Sequence, residues 1–389
     1  MIKYVGITGK IYQAIEPAIT AGGEGFIYKI EGMPEYVLKI SKKPTEILHR
    51  KLLTMIGIQL PQKAKKQMTW PIDIVYQNNV FCGYVMMYLK DRDILNIVNA
   101  NNNYTFKQKI TIAKNICAVI NSLHNVGQVC GDLNPKNIMV NPKTQEVTLV
   151  DTDSFHITDY KSNRIYRCEV GMPLYLAKEI QEEMKKGYNL KNVPVSPYSK
   201  ETDLFALAVN IFSLLMNGCH PYACATNGVN NIQQLTSIVP SIPAPQPNEN
   251  IINGFFPFYM KKTGITIPKY APEFDTLPKE IQNLFIRAFV NGNNNPSDRP
   301  TATEWFHALE RMQGNLTTCT KNKTHIYNAD LKQCPWCKIE EKMKKIVQQK
   351  PKTQPVIPQV FSNNPSIYTG GTSSRHQNKH RHQTTTKTS

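Results

Sequence analysis

An aspartate and an asparagine five residues apart, Asp132 and Asn137 in Cys130-Gly131-Asp132-Leu133-Asn134-Pro135-Lys136-Asn137, are followed by Asp151 at the end of the apolar run Val147-Thr148-Leu149-Val150. A carboxylate, an amide and a second carboxylate in that order are the groups that phosphoryl transfer from a nucleotide needs. One carboxylate orients a hydroxyl and takes its proton, while an amide and a carboxylate hold Mg²⁺ against the phosphates. The pair alone is a weak signal, because Asn and Asp are common turn formers. The β-forming runs on either side, and the residues upstream, make it a strong one.

Those upstream residues stand in order. Thr20-Ala21-Gly22-Gly23-Glu24-Gly25-Phe26-Ile27-Tyr28 reads as a hairpin turn between β-formers, whose backbone can close over an anion. Tyr36-Val37-Leu38-Lys39 reads as the strand that presents a phosphate-binding lysine. Such a lysine needs a positioning carboxylate on a helix. Between Lys39 and Tyr88 the acidic residues are Glu46 and Asp73. Glu46 opens an amphipathic helix and Asp73 starts a strand, so Glu46 is the expected partner. Taken singly, each piece reads as a turn, one surface lysine or a solvated helix face; in this order together they do not.

The set resembles the eukaryotic-like Ser/Thr protein kinase superfamily, over about residues 10–312. Val170-Gly171-Met172-Pro173-Leu174-Tyr175-Leu176-Ala177-Lys178-Glu179 is similar to the end of an activation segment, and Thr202-Asp203-Leu204-Phe205 to the start of the central helix of the large lobe. Asp203 would then accept backbone hydrogen bonds from the catalytic loop, and Arg299 of Asp298-Arg299-Pro300-Thr301 would pair with Glu179. The Gly-Gly-Glu-Gly turn, the Gly-Asp-Leu-Asn loop and Asp151-Thr152-Asp153-Ser154-Phe155 resemble, more narrowly, a bacterial kinase-like subfamily, some members of which are encoded beside a phosphatase. The resemblance implies an α+β, two-lobed fold: a small β-rich lobe over 10–88 and a large helical lobe over 89–312. It implies ATP with Mg²⁺ (or Mn²⁺), Asp132 as base, Asn137 and Asp151 on the metal, and Lys39 with Glu46 on the phosphates. Ala21 to Gly25 would cover the phosphates, and Asn134 would reach them. Met86, Met87 and Tyr88 would form the adenine-reading hinge, and Ile27, Val37 and Met139 would sandwich the base. For the apolar members the competing reading is plain core packing.

The chain departs from the pattern at named positions. Thr20 replaces the first loop glycine, Cys130 and Gly131 replace the His and Arg before the catalytic Asp, and Asn134 replaces a lysine. Asp151-Thr152-Asp153 stands for D-F-G, with Asp153 read as a turn or N-cap residue rather than a metal ligand. Lys39, Glu46, Asp132, Asn137 and Asp151 remain, so a protein kinase acting on Ser or Thr is the expectation. A nucleotide-binding pseudokinase scaffold is the second reading.

Beyond that region, Cys319-x5-His325-x8-Cys334-Pro335-Trp336-Cys337 offers four soft or borderline ligands. A redox pair and unrelated thiols are the rivals. A short polar segment without its own core favours a structural zinc knuckle over 317–340. Nine cysteines give no disulfide pattern, no charged-then-apolar leader opens the chain, and Leu204–Met216 is too short to span a bilayer, which together predict a cytoplasmic protein. Net charge is +17. Residues 344–389 hold eight Lys/Arg and no acid, and read as a disordered basic tail that could meet an acidic partner or nucleic acid, or simply solubilise the chain. Lys42, Lys43, Arg50, Lys51, Lys63, Lys65 and Lys66 read as a solvated basic face.

Overall fold

The computed structural model describes residues 2–21, 24–96, 104–226 and 244–348. The expected basic tail beyond 348, the two glycines Gly22 and Gly23, and residues 227–243 lie outside these residues.

Six antiparallel strands close into a barrel in the order β1-β2-β3-β4-β6-β5. They are β1 (Ile2–Gly6), β2 (Ile11–Ala21), β3 (Gly25–Ile30), β4 (Tyr36–Ser41), β5 (Asp73–Gln77) and β6 (Val80–Met87). The barrel thus begins ahead of residue 10, because β1 seals the sheet between β2 and β5. Alternate side chains fill it: Tyr4, Tyr12, Ala14, Ile30, Leu38, Val75 and Val85 form a core of their own. One carboxylate is buried there. Asp73 accepts from the Tyr12 hydroxyl at 2.7 Å and from Ile7 N at 3.1 Å, which locks β5 to the first hairpin.

Between β4 and β5 runs α1 (Glu46–Gly57), capped by Thr45 Oγ1 accepting from Leu48 N at 3.1 Å, followed by the single turn α2 (Gln62–Lys65). The sequence implies one helix here; α2 adds a turn that buries Ala64.

The rest is mostly helical. A Thr105/Gln108 capping box starts α3 (Phe106–Asn125), and the short strands β7 (Asp93–Ile94), β8 (Ile138–Val140) and β9 (Val147–Leu149) form a three-stranded sheet. The strands β10 (Ile157–Asp159) and β11 (Arg164–Tyr166) pair as a hairpin before α4 (Lys178–Lys185). From Thr202 to Leu215 every residue of α5 (Lys200–Leu215) is buried, as its near-continuous apolar run requires. Later helices are α6 (Pro247–Asn253), α7 (Lys279–Ile286), which continues as a π-turn over Arg287–Asn291, and α8 (Ala302–Gly314). The short strands β12 (Ala225–Thr226) and β13 (Ile265–Thr266) pair antiparallel. Phe205, Phe212, Phe256, Phe285, Phe289 and Trp305, all essentially inaccessible, pack edge-on or stacked where these helices meet.

The expected knuckle is a hairpin, β14 (Leu316–Thr318) with β15 (Ile326–Asn328), leading into α9 (Pro335–Gln348). It leans on the main core: the Trp336 ring meets Phe106 at 5.3 Å, and its indole N–H donates to Ile326 O at 2.7 Å. No described helix is long and apolar enough to cross a membrane.

Candidate active site

Asp132 sits on the loop between α3 and β8, 7% exposed, and its carboxylate is fixed by three donors. Asn134 Nδ2 donates to Oδ1 at 2.7 Å, Asn137 Nδ2 to Oδ2 at 3.0 Å, and Met172 N to Oδ1 at 3.3 Å. Burial raises its pKa, and the three donors oppose the rise without cancelling it. The loop itself hangs from Asp203, which is 1% exposed and receives Cys130 N at 2.7 Å, Gly131 N at 2.8 Å and His124 Nε2 at 3.0 Å. This is the arrangement the resemblance implies for Asp203. Gly131 has φ +81, and a Cβ there would lie 2.7 Å from Cys168 Cβ, so this backbone has no room for the arginine of the common pattern.

Asn134 is turned toward Asp132. Only 2% exposed, it spends its amide on Asp132 and its Oδ1 on Lys136 N at 2.9 Å. Val150 N donates to Asn137 O at 3.0 Å, which stitches the Asn137 loop to the start of the next one. There Asp151 adopts the left-handed region at φ 53, tolerable for Asp, with its side chain 59% exposed toward solvent. Thr152, in the place of an aromatic, is fully buried and donates its hydroxyl to Thr69 O at 2.9 Å.

Lys39 comes from the centre of β4, where register sets Val37 against Met86 and Lys39 against Tyr84. Its ammonium lies 2.8 Å from Asp153 Oδ1, 3.3 Å from Asp151 Oδ1 and 5.9 Å from the Tyr84 ring centroid. Burial works against the charge of Lys39, but Tyr84, Asp153 and Asp151 together hold its pKa well above the usual lysine value. Burial likewise works against the charge of Asp153, and the Lys39 ammonium outweighs it, leaving this carboxyl below the usual aspartate value.

The expected Lys39–Glu46 pair is absent. Glu46 is the first residue of α1, its side chain 64% exposed, and it binds Arg50 Nε at 2.7 Å and His49 Nδ1 at 3.4 Å. Helix phase explains this: the buried positions are Lys51, Leu52 and Met55, and five residues of α-helix turn Glu46 about 140° away from Lys51. Lys51, read from sequence as part of a solvated basic face, is instead 6% exposed. Burial lowers its pKa, while Cys168, Asp153, Glu169 and Glu24 pull it upward. Asp153, read as a turn residue, is a buried ion-pair partner. Nothing in the local sequence marks these two residues except that Lys51 falls in phase with Leu48 and Met55.

Around this centre, Ala21 ends β2, and Glu24 and Gly25 lead into β3. A Cβ on Gly25 would meet Ile40 O at 2.5 Å, so only glycine lets the two strands close here. The Glu24 carboxyl is exposed along one side, yet desolvation by the loop, then the charge of Asp153, raises its pKa. Val37 and Met86 are buried, Ile27, Met87, Tyr88 and Met139 half-buried, and Tyr88 N donates to Glu35 O at 2.8 Å. Val37 and Met86 belong to the main buried core, and Ile27 and Tyr88 pack against it. Arg299, its side chain 0% exposed, grips Glu179 with two bonds of 2.7 and 2.9 Å and also donates to Gly292 O and Glu201 O.

At the far end, Cys319, His325, Cys334 and Cys337 place their ligand atoms within 4.8 Å of one another. Cys319 Sγ–Cys337 Sγ is 3.7 Å, and His325 Nδ1 is 3.6 Å from Cys334 Sγ and 3.4 Å from Cys337 Sγ. Tetrahedral Zn²⁺ with ordinary bond lengths demands S···S of about 3.8 Å and S···N of about 3.5 Å, so the donors fit that ion. His325 Nε2 lies 3.1 Å from both Glu340 Oε1 and Asn322 Nδ2, and such an outer carboxylate would orient the imidazole if it held a metal.

A buried, donor-fixed aspartate, an adjoining asparagine, an aspartate at the next loop and a strand lysine beneath a β-barrel define a protein kinase domain. The chain belongs to the protein kinase family: the protein kinase domain matches it over residues 24–309. It is 26% identical over 351 residues to "Protein kinase YegI" of Escherichia coli strain K12, covering 87% of this chain and 50% of that protein. It is 21% identical over 314 residues to "Serine/threonine-protein kinase pkn3" of Myxococcus xanthus, covering 79% and 50%. The chain thus spans about half the length of these relatives.

Proposed function

We propose that this chain is an ATP-dependent Ser/Thr protein kinase that moves the γ-phosphoryl group to a protein hydroxyl. The observation that carries the reading is the Asp132 carboxylate, buried and fixed by Asn134, Asn137 and Met172 N, on the same loop as a potential metal ligand. Oδ1 accepts two of these bonds and Oδ2 one, so Oδ2 keeps a lone pair for an incoming hydroxyl. The hydroxyl oxygen bonds to phosphorus, its proton passes to Asp132, and the bond to the β-phosphate oxygen breaks with its electrons leaving on ADP. Asn137 and Asp151 would hold Mg²⁺ or Mn²⁺, which neutralises phosphate charge. The half-exposed Asp151 side chain, at the mouth of the site, suits that task. Lys39 would bind phosphate oxygens, Gly22–Gly25 would cover them, and Met86–Tyr88 would read the adenine edge.

The barrel and helical parts would act as small and large lobes. A protein substrate is supported by the activation-segment end around Gly171–Glu179, docked through Glu179 and Arg299. Ser/Thr choice is supported by the printed name of the Myxococcus relative. The Cys₃His cluster would hold a structural zinc ion that ties β14, β15 and α9 together. A cytoplasmic setting, a partner phosphatase and an acidic or nucleic-acid partner for the basic tail belong to the same reading.

Phosphate transfer from labelled ATP, with Mg²⁺ and separately Mn²⁺, tests it on the chain itself and on a generic acceptor. Loss of the base in Asp132→Ala should cut transfer by about 10²–10⁴-fold. No label on wild type, with nucleotide still bound, would favour the scaffold reading, in which Lys39 stays clasped by Asp151 and Asp153.

A further inference from the structure

In the kinase arrangement a helix carboxylate positions the strand lysine. Here α1 turns Glu46 to solvent and sends Lys51 inward. The carboxylate on Lys39 comes from the opposite side, from Asp153 two residues beyond the metal-site aspartate, at 2.8 Å and with its side chain 8% exposed.

Lys51 is a buried cation that no hydrogen bond or ion pair among the described residues satisfies. An unpaired ammonium at 6% exposure is costly to keep unless negative charge surrounds it. Helix α1 packs against the turn Thr152–Ser154 that carries Asp153, and the carboxylates acting on Lys51 are those of Asp153, Glu169 and Glu24. Charge counting explains the choice of residue. Asp151 and Asp153 already pair with Lys39 and Glu24 acts on it from further off, so a helix glutamate would add a further carboxylate to a single cation. A helix lysine restores the balance instead.

We infer that Asp153 and Lys51 are positioning residues that have exchanged charge between loop and helix, Asp153 anchoring Lys39 for the nucleotide phosphates and Lys51 offsetting, without direct contact, the carboxylate charge gathered there. This inference rests on the nucleotide-binding part of the reading above. It gives the cation absent at Asn134 a counterpart elsewhere in the site. It also accounts for Asp153 standing where the common pattern has a glycine: a carboxylate is needed there only when the helix no longer supplies one.

The charge exchange can be reversed. Equilibrium titration with ATP·Mg²⁺ reads Lys39 positioning without requiring transfer, and thermal melting reports folding. Asp153→Asn removes the anchor while keeping its shape, and should weaken nucleotide binding about tenfold. Lys51→Glu adds a carboxylate beside Asp153 and should weaken it at least as much. The double variant Lys51→Glu/Asp153→Asn moves one carboxylate from position 153 to the inward face of the helix, leaving Asp151 in place, and should bind within about threefold of wild type. Lys51→Met, apolar and of similar length, removes the charge without reversing it and should fall between wild type and Lys51→Glu.

A merely structural role for the two residues would make their losses add, with no rescue. Additive losses in folded variants, or unchanged binding in Asp153→Asn, would overturn the inference while leaving the kinase reading intact. A wild-type chain that binds no nucleotide would overturn both. Rescue of binding in a chain that transfers no phosphate would support the charge exchange and count against the kinase reading alone.

Discussion

Gly131→Ala is the sharpest test of why the catalytic loop lacks its arginine. The substitution adds one methyl group at φ +81, a left-handed conformation that costs an L-residue about 1–2 kcal/mol. The added Cβ would sit 2.7 Å from Cys168 Cβ and 3.1 Å from its Sγ, in a region where Cys168 is fully buried. Relief requires a shift of the chain in a packed core, worth about 1–3 kcal/mol. The sum is about 2–5 kcal/mol, or a drop of about 4–10 °C in melting temperature at about 2 °C per kcal/mol for a domain of this size. The two parts separate in a cycle with Cys168→Gly, which removes the opposing Cβ: the contact part should vanish in the double variant and the backbone part remain. Because Gly131 N donates to Asp203 at 2.8 Å, phosphate transfer should fall along with stability. Gly131→Arg, although it rebuilds the common motif, should lose activity rather than gain it. A Gly131→Ala protein that melts within 1 °C of wild type, or a cycle with no coupling to Cys168, would refute the reasoning.

Other consequences can be measured on the same preparations. Glu179→Ala leaves the Arg299 guanidinium, 0% exposed, without its counter-charge and should destabilise the fold by about 3–5 kcal/mol in denaturant titration. Acid should weaken the fold through His156, which burial holds neutral with a pKa lowered to about 4. Since its folded value lies below its unfolded one, the stability is complete above about pH 6.5 and is lost as pH falls toward 4, by up to about 3 kcal/mol. In His156→Phe, which keeps a ring against Tyr198, the melting temperature should change less between pH 7.5 and 5. Elemental analysis should find one zinc per chain, and Cys337→Ser or a strong chelator should release it and open β14, β15 and α9 to proteolysis.

The linear order of chemistry was legible in the sequence because a phosphoryl-transfer loop needs particular residue types at fixed separations. Asp132, Asn137 and Asp151 occupy one loop and the end of the adjoining strand pair, so five- and fourteen-residue separations nearly determine their geometry. The same locality makes Cys334-Pro335-Trp336-Cys337 readable as a pair of ligands on one turn. Apolar spacing likewise marked the helix that Glu46 opens and the strand of Lys39, since each is set by burial along a single element. The closure of the sheet by β1 was not legible, because pairing of Ile2–Gly6 with two strands depends on their meeting in space.

The partner of Lys39 shows the limit most clearly. By type and position along the chain Glu46 was the available carboxylate, and the sequence alone determined that a charged helix follows the lysine strand. Which residue of that helix turns inward depends on where Thr45 caps it and on how Leu52 and Met55 dock, and that rotation put Lys51 inside and Glu46 outside. The buried contact of Asn134 follows the same rule, its amide meeting the Asp132 carboxylate two residues away. Composition and spacing thus determined that this protein carries a kinase-like set of groups. Only the tertiary structure decided which charges face one another, because an ion pair between distant elements is a property of their packing and of no local stretch of chain.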